Sequence, residues 1–250
     1  MSFIDVRREE KIGTITLNRP KVNALNEELI DELKEAFQDV GGDEDINAVI
    51  LTGQGSFFSF GFDVPGFMSY SKESFLAYVH KYSDLIKMIY IFPKPVIAAL
   101  NGHAVAGGCV LALACDYRIM LSEKAKISLN EMTFGSTLFS SATETLRYAV
   151  GSKRCEEIIY SGKMFSAEEA LGLDLVDIIA TEDEFLRVVS EVAEDFAQKD
   201  VNAFASIKKM LKKETMDRIE RYEASTISEF VDIWYSDSTR EQLAKIEIRG

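Results

Sequence analysis

The sequence is poor in the residues that build metal sites and disulfides. It contains two histidines and three cysteines, Cys109, Cys115 and Cys155, among 250 residues. The cysteines offer neither the paired spacing of a zinc site nor a disulfide framework. Few and unpaired thiols are typical of a reducing compartment. We therefore expect a cytoplasmic protein without a metal site.

Basic residues are also in deficit. Lys and Arg number 28 against 41 Asp and Glu, which gives a net charge of −13. This balance argues against nucleic acid or an anionic membrane as a partner, because both bind basic faces. No apolar run approaches the length of a membrane span, and the first five residues lack the features of a secretory signal. A phosphate-bearing ligand is compatible with this net charge only if basic side chains are gathered at its binding site.

Apolar material is plentiful, at 47% of the residues, and its pattern predicts an α/β protein. Strands are expected over 3–8, 11–17, 48–52, 96–100, 117–121, 126–129 and 175–179. Helices are expected over 25–42, 73–91, 109–115, 143–150 and 153–160, and behind capping boxes at 166–169 and 181–184. From residue 202 onward only helices are expected, over 203–213, 214–235 and 239–248, the last behind a capping box at 238–241. The sequence therefore predicts a core over 1–195 and a helical segment over 196–250.

The chain is organised around residues 101–116. Asn101-Gly102 ends a short buried strand, and Gly107-Gly108 opens a run of small and aliphatic residues that reads as a buried helix. Glycine lets another group approach the backbone closely, and the first N–H groups of a helix have no partner within it. Such a helix start can hold an anionic oxygen. The alternative is that the glycines only allow tight packing of the helix on the strand.

Several stretches together resemble the crotonase family, also called the enoyl-CoA hydratase/isomerase family. They occur in the family's order, and they are Asn18-Arg-Pro-Lys-Val-Asn-Ala-Leu-Asn26, Phe58-Ser-Phe-Gly-Phe-Asp63, Pro95-Val-Ile-Ala-Ala-Leu-Asn-Gly102, Ala106-Gly-Gly-Cys109, Cys115-Asp-Tyr-Arg118, Ser166-Ala-Glu-Glu-Ala-Leu-Gly-Leu173 and Val176-Asp177. The resemblance implies a spiral of ββα turns and a helical C-terminal trimerisation segment, in a homotrimer or hexamer. It also implies a thioester substrate on coenzyme A, with no separate cofactor.

In this family two backbone N–H groups hold the thioester oxygen as it becomes an enolate oxyanion. By position the resemblance implies that these are the N–H groups of Phe62 and Gly107. Donors of this kind stabilise the transition state more than the ground state. Phe60 and Phe62 stand where many members have small residues, so we expect a narrower pocket above the hole. The alternative for these aromatic residues is ordinary core packing.

Hydratases of the family position a water between two glutamates, and this sequence matches only one of them. The first position is occupied by Val110, which cannot activate water. The second, in Ser128-Leu-Asn-Glu-Met-Thr-Phe-Gly135, is Glu131. A single base suffices to move a proton from C2 to C4 of an acyl chain. The combination looks most like the mitochondrial type of Δ3,Δ2-enoyl-CoA isomerase, with Glu131 as its only acid–base residue.

Other readings stay open at this point. Glu131 could be a solvated turn residue of a non-catalytic acyl-CoA-binding subunit. The chain could also be a hydratase, or catalyse decarboxylation or thioester hydrolysis, with a second carboxylate for which Glu144 is the candidate. Asp63 and Asp116 also lie on matched motifs, and we expect both to be structural.

The resemblance also implies contacts with the substrate. Arg19 and Lys21 are the cation candidates beside the nucleotide end of coenzyme A, with Lys245 and Arg249 as further cations. The remaining contacts, to coenzyme A and the acyl chain, are expected from Ala24, Ser59, Phe60, Gly108, Leu138 and Phe139. The lysines at 208, 209, 212 and 213 are expected to form the solvated face of an amphipathic helix.

Overall fold

The computed structural model describes residues 2–246. Its strands are β1 (Ile4–Glu9), β2 (Ile12–Leu17), β3 (Ala48–Gly53), β4 (Phe57–Ser59), β5 (Val96–Leu100), β6 (His103–Val105), β7 (Tyr117–Leu121), β8 (Ile127–Ser128) and β9 (Ile178–Ala180). Its helices are α1 (Glu27–Gly42), α2 (Val64–Phe67), α3 (Lys72–Tyr90), α4 (Gly107–Ala114), α5 (Ser140–Ser161), α6 (Ala167–Gly172), α7 (Phe185–Ala197), α8 (Val201–Trp234) and α9 (Asp237–Leu243). A 3-10 turn covers Glu131–Phe134.

The larger sheet has six strands in the order β1-β2-β3-β5-β7-β9. β1 and β2 form an antiparallel hairpin, and every other pair in this sheet is parallel. The apolar runs of β3 and β5 occupy its centre, because parallel strands are buried on both faces. One face packs on the main core, and the other is covered by α7, whose Phe185, Val189 and Ala193 contact Ile50 and Ile97.

A second sheet of three parallel strands, β4-β6-β8, lies beside the first. Each of its strands follows a strand of the larger sheet, and a helix comes next, so the chain repeats β3-β4-α3, β5-β6-α4 and β7-β8-α5. The connection between β4 and α3 also holds the short α2. The ββα spiral implied by the family resemblance is therefore confirmed. Of the small-sheet strands only β8 was predicted. The three-residue strands β4 and β6 carry no readable alternation and were missed.

The C-terminal region is helical as expected, but its division into helices was predicted wrongly. A single helix of 34 residues, α8, replaces the two helices expected over 203–213 and 214–235. The stretch contains neither glycine nor proline, so nothing in it ends a helix. Ser236 caps α9 through its bond with the Thr239 N–H, instead of the capping box expected at 238–241. The expected end of the last helix, beyond residue 246, lies outside the described residues.

Two of the four clustered lysines are not solvated, contrary to expectation. Lys208 and Lys212 lie on the buried side of α8, and both Nζ atoms contact the carboxylate of Asp116, at 2.6 and 2.7 Å. Lys209 and Lys213 lie on the exposed side. The structural role expected of Asp116 is thus visible, because it fixes α8 to the end of α4 and also accepts from the Val96 N–H at 2.9 Å.

Smaller differences concern helix starts and kinks. The capping box at 166–169 is present, whereas the one expected at 181–184 is absent and α7 starts only at Phe185. Gly151 is non-helical, with φ of +77°, and divides α5 at a kink, so the two helices expected on either side of it are present within this element. The strand expected over 175–179 is shifted to β9. No helix within residues 2–246 is both long enough and apolar enough to cross a membrane.

Candidate active site

A cavity of about 320 Å³ lies between the start of α4, the 3-10 turn and α8. Its wall is mostly apolar and aromatic, as expected of a site that surrounds an acyl chain. The wall consists of Phe60, Phe62, Val64, Tyr82, Val105, Ala106, Gly107, Val110, Asn130, Glu131, Thr133, Phe134, Leu138, Phe139, Ala142, Phe230, Trp234 and Ile246.

The first expected oxyanion donor, the Phe62 N–H, belongs to a peptide that is fixed by its other end. The Gly61 carbonyl of the same peptide accepts from the Leu25 N–H at 2.7 Å. The N–H and C=O of a trans peptide point in opposite directions, so the Phe62 N–H faces away from Leu25. It has no hydrogen-bond partner among residues 2–246.

The second expected donor, the Gly107 N–H, stands at the first position of α4. The carbonyl of its peptide, that of Ala106, accepts from the Val110 N–H at 3.1 Å. The Gly107 N–H therefore points out of the N-terminal end of the helix, and it too has no partner within the described part of the chain. Ala106 adopts φ of +50°, a left-handed conformation that is costly for alanine and turns the chain from β6 into α4.

The two donor segments are in direct contact. Gly61 has φ of +93°, and a Cβ on it would lie 2.7 Å from the Val105 carbonyl oxygen and 2.9 Å from the Gly107 nitrogen. A Cβ on Gly107 would lie 3.1 Å from the Phe62 ring. Both positions therefore need glycine for the peptides to meet. The result is a pair of free N–H groups, from Phe62 and Gly107, beside one cavity.

The Phe62 side chain packs behind the hole within an aromatic cluster. Its ring stands nearly perpendicular to Tyr82 at 4.9 Å and to Tyr78 at 5.1 Å between centroids. Phe62 thus fits both interpretations offered by the sequence, since its ring packs in the core while its main chain borders the cavity. Phe60 is half-buried and lines the same cavity. The narrowing of the pocket expected from these two aromatic residues stays a prediction.

Glu131 begins the 3-10 turn, and among residues 2–246 its carboxyl group is the one carboxylate in the cavity wall. The residue is 7% exposed, and its Oε2 is buried without a hydrogen-bond partner among the described residues. Burial without a compensating cation raises the pKa of Glu131 to about 8. A carboxyl group of this kind can exchange a proton near neutral pH, so Glu131 is no solvated turn residue.

The position of the missing hydratase glutamate also faces the cavity. Val110, on the first turn of α4, is 2% exposed and lines the wall with an aliphatic side chain. Glu144 does not replace that carboxylate, since it lies outside the cavity and pairs with Arg147 at 3.0 Å and Arg218 at 3.8 Å. Within residues 2–246 the cavity therefore contains a single acid–base carboxylate.

A groove lined by Phe3, Arg19, Pro20, Lys21, Asp63, Pro65 and Ile246 adjoins the cavity, since Ile246 lines both. Arg19 is largely neutralised there, because its guanidinium contacts Asp63 at 2.6 Å and donates to the Ala24 carbonyl at 2.9 Å. Asp63 has the structural role expected of it. Lys21 is exposed and makes no ion pair among the described residues, so it is the free cation of this loop.

Three of the expected contact residues are not part of the cavity lining, and their expected contacts with coenzyme A stay a prediction. Ala24, Ser59 and Gly108 are buried and are absent from the lining. The Ser59 hydroxyl donates to the Asn23 carbonyl at 2.8 Å and accepts from the Gly61 N–H at 3.1 Å, so it shapes the loop before the hole. A Cβ on Gly108 would lie 2.3 Å from the Ser59 carbonyl oxygen, so this glycine serves packing of α4 on β4.

Leu138 and Phe139 line the cavity, at the position where the acyl chain is expected. Sequence analysis missed the opposite wall, formed by Phe230 and Trp234 of α8 together with Tyr82 of α3. Phe230 and Trp234 are four residues apart on one helix face, a signal that predicted burial but not which cavity they reach. Lys245 contacts Gln242 and is exposed, and Arg249 lies outside the described residues.

Comparison with known proteins gives a consistent family. A family model described as enoyl-CoA hydratase/isomerase matches residues 7–249. A probable enoyl-CoA hydratase from Bacillus subtilis (strain 168) is 33% identical over 227 residues, which cover 90% of this chain and 86% of that protein.

Solved structures of both kinds of enzyme are similar to this fold. Human mitochondrial delta3-delta2-enoyl-CoA isomerase matches with a TM-score of 0.90 and 27% identity, covering 97% of this chain and 95% of that one. The enoyl-CoA hydratase from Bacillus halodurans matches with a TM-score of 0.89 and 27% identity, covering 98% and 100%. Isomerases and hydratases are thus equally similar in fold. Because the family model spans nearly the whole sequence, this chain belongs to the enoyl-CoA hydratase/isomerase family.

Proposed function

We propose that the protein is an enoyl-CoA isomerase, which moves the double bond of a 3-enoyl-CoA to the 2 position. The observation that carries this proposal is the content of the cavity, where the Glu131 Oε2 has no hydrogen-bond partner among residues 2–246 and Val110 stands at the place of the first hydratase glutamate. One carboxylate can shuttle one proton. Adding water across a double bond calls for a carboxylate on each side of it.

In the proposed reaction, ionised Glu131 removes a proton from C2 of the acyl chain. The C–H electron pair forms a C1–C2 double bond, and the thioester oxygen takes up negative charge as a dienolate. The N–H groups of Phe62 and Gly107 donate to that oxygen. Glu131 then returns the proton to C4, the electrons close a C2–C3 double bond, and the oxygen charge is withdrawn. A donor that meets growing charge contributes about 10²- to 10³-fold in rate.

The substrate is proposed to enter through the groove beside Lys21, with the coenzyme A phosphates near that side chain and the thioester at the hole. Leu138, Phe139, Phe230 and Trp234 are proposed to surround the acyl chain. Coenzyme A arrives as part of the substrate, and the proposed reaction uses no other cofactor. A homotrimer or hexamer and a cytoplasmic location stay predictions, of which the first is checked by sedimentation.

Hydration is the second candidate, favoured by the names of the relatives, several of which are printed as enoyl-CoA hydratases. The two reactions are separated by supplying 3-enoyl-CoA and 2-enoyl-CoA of equal chain length in separate assays. We expect 2-enoyl-CoA from the first and negligible 3-hydroxyacyl-CoA from the second. Robust hydration of 2-enoyl-CoA would reject the single-carboxylate argument. Tight coenzyme A binding without turnover of either compound would instead support a binding subunit.

A further inference from the structure

The oxyanion hole contains glycine where side chains would normally fix a backbone. Gly107 has no side chain, and the Phe62 donor follows Gly61, which also has none. Glycine loses more conformational freedom than any other residue when it is ordered. Hydrogen bonds and packing therefore have to hold the directions of the two donor peptides, beyond what the glycines themselves supply.

Two tyrosines, one turn apart on α3, reach the two donor segments. The Tyr82 hydroxyl donates to the Gly107 carbonyl at 2.5 Å, and the Tyr78 hydroxyl donates to the Leu25 carbonyl at 2.9 Å. Leu25 in turn donates its N–H to the Gly61 carbonyl, which belongs to the peptide that carries the Phe62 N–H. Both tyrosines are fully buried, so neither hydroxyl exchanges its partner for water.

The rings of the same two tyrosines flank Phe62. Their centroids lie 4.9 and 5.1 Å from that of Phe62, with interplanar angles of 88° and 78°. Such edge-to-face contacts fix the ring that follows the donor nitrogen. One face of α3 therefore contacts both donor segments. Its two hydroxyl groups bond the backbone, and its two rings pack against the Phe62 side chain.

We propose that Tyr78 and Tyr82 are positioning residues, which hold the Phe62 and Gly107 N–H groups at the spacing that an enolate oxygen requires. This inference rests on the proposed function, because it assumes that an enolate forms at the hole. Tyr82 bonds the carbonyl of the peptide that follows the donor peptide, so it acts on the Gly107 N–H through the Cα of Gly107. Tyr78 acts through Leu25, whose carbonyl also accepts from the Asp63 N–H at 3.1 Å, so loss of Tyr78 leaves that carbonyl partly held.

The first test is kinetic and removes one oxygen atom at a time. Tyr82→Phe keeps the ring against Phe62 and deletes only the hydrogen bond, so we expect kcat for isomerisation to fall about tenfold while KM changes less than about twofold. Tyr78→Phe should lower kcat less, by about threefold. Tyr90→Phe is the matched control, since this tyrosine is buried on the same helix but lines a different cavity, beside Lys212. It should leave kcat unchanged.

The second test measures the hole without turnover. Acetoacetyl-CoA forms an enolate that absorbs in the near ultraviolet, so its apparent pKa when bound reports how well the hole stabilises the oxyanion. The titration is made in the Glu131→Gln background, which removes the carboxyl group of the cavity. Adding Tyr82→Phe should raise the bound ligand's pKa by about one unit, a tenfold loss of enolate stabilisation. Adding Tyr90→Phe should not change it.

The outcomes separate the two proposals. If acetoacetyl-CoA bound to the Glu131→Gln protein, with both tyrosines intact, has a pKa no lower than in solution, the protein has no working oxyanion hole and the proposed function fails. If the pKa is lowered but Tyr78→Phe and Tyr82→Phe leave it unchanged, the hole is sound and the positioning role is overturned. An equal fall of kcat in Tyr90→Phe and Tyr82→Phe would also overturn it, because the effect would then be one of general packing.

Discussion

Two buried carboxylates in this protein have opposite surroundings. Asp116, whose side chain is 10% exposed, contacts the Nζ atoms of Lys208 and Lys212 and the Val96 N–H. Glu131 is 7% exposed, and among residues 2–246 its Oε2 has no hydrogen-bond partner and no cation lines its cavity. A buried charge without a partner is costly, and a protein keeps such a group protonated by raising its pKa.

The difference teaches how to tell a structural carboxylate from one available for proton transfer. At Asp116 two lysine Nζ atoms and a backbone N–H contact the carboxylate, so the group ties α4 to α8. At Glu131 no cation among residues 2–246 offsets the burial, and its pKa of about 8 leaves both protonation states within reach at neutral pH. Burial alone does not separate the two, whereas the count of partners does.

The largest effect should come from removing the unpaired carboxylate. Glu131→Gln keeps the shape of the side chain but cannot take the C2 proton, so we expect turnover of 3-enoyl-CoA to fall about 10³-fold. Binding of a saturated acyl-CoA should persist, as measured by calorimetry. Glu144→Gln is the matched control, since this glutamate is paired with Arg147 outside the cavity. Retained turnover in Glu131→Gln would remove Glu131 from its proposed role.

Removing the paired carboxylate should act on stability instead. Asp116→Asn leaves Lys208 and Lys212 buried beside each other without an anion, and we expect the free energy of unfolding to fall by about 3–5 kcal/mol. Chemical denaturation at a fixed protein concentration measures this change. Replacing the whole cluster, with Asp116→Leu, Lys208→Met and Lys212→Met together, should recover most of the loss. If Asp116→Asn were as stable as the wild type, the ion pairs of Asp116 with Lys208 and Lys212 would contribute little to stability.

The pH profile of the reaction sharpens the same contrast. Because Glu131 must be ionised to remove the C2 proton and its pKa is raised to about 8, kcat/KM should rise about tenfold per pH unit below 8 and then level off. Desolvation also lowers the pKa of Lys208 to about 8, so the profile alone does not identify the group. Lys208→Met should leave the profile unchanged, and a profile that flattens in this variant would contradict the assignment to Glu131.

The sequence was a better guide to which segments border the cavity than to the helices around it. The resemblance of two glycine-rich motifs to the family implied Phe62 and Gly107 as donors, and both residues line the cavity, while their role as donors stays a prediction. Glu131 and Val110 were likewise read from single positions in matched segments. Each of these predictions depends on residues that are neighbours along the chain.

The failures concern contacts between distant segments. The cluster at 208–213 contains two lysine pairs with i, i+4 spacing, and either could have been the buried one. Only the position of Asp116, 92 residues before Lys208, decides between them. In the same way, the spacing of Phe230 and Trp234 predicts one buried face without revealing that it closes the cavity opposite Leu138. Amphipathic periodicity gives the face of a helix, and tertiary packing gives its partner.

The smallest expected effect is that of removing one of the two lysines. In Lys208→Met, Asp116 keeps Lys212 and the Val96 N–H, so at pH 7 we expect the free energy of unfolding to stay within about 1 kcal/mol of the wild type. Folding lowers the pKa of Lys208 to about 8, so between pH 8 and about 10.5 the unfolded chain binds more protons than the folded one. In that range the free energy of unfolding of the wild type should rise relative to that of Lys208→Met as the pH rises, by at most about 1.4 kcal/mol per pH unit.

Lys212→Met should lower the free energy of unfolding more than Lys208→Met, because Lys212 also donates to the Tyr90 carbonyl at 3.0 Å and lies 4.2 Å from the centre of the Tyr90 ring. If Lys208→Met and Lys212→Met lowered the free energy of unfolding equally, Asp116 would need both lysines, and Lys212 alone would not suffice to compensate its charge.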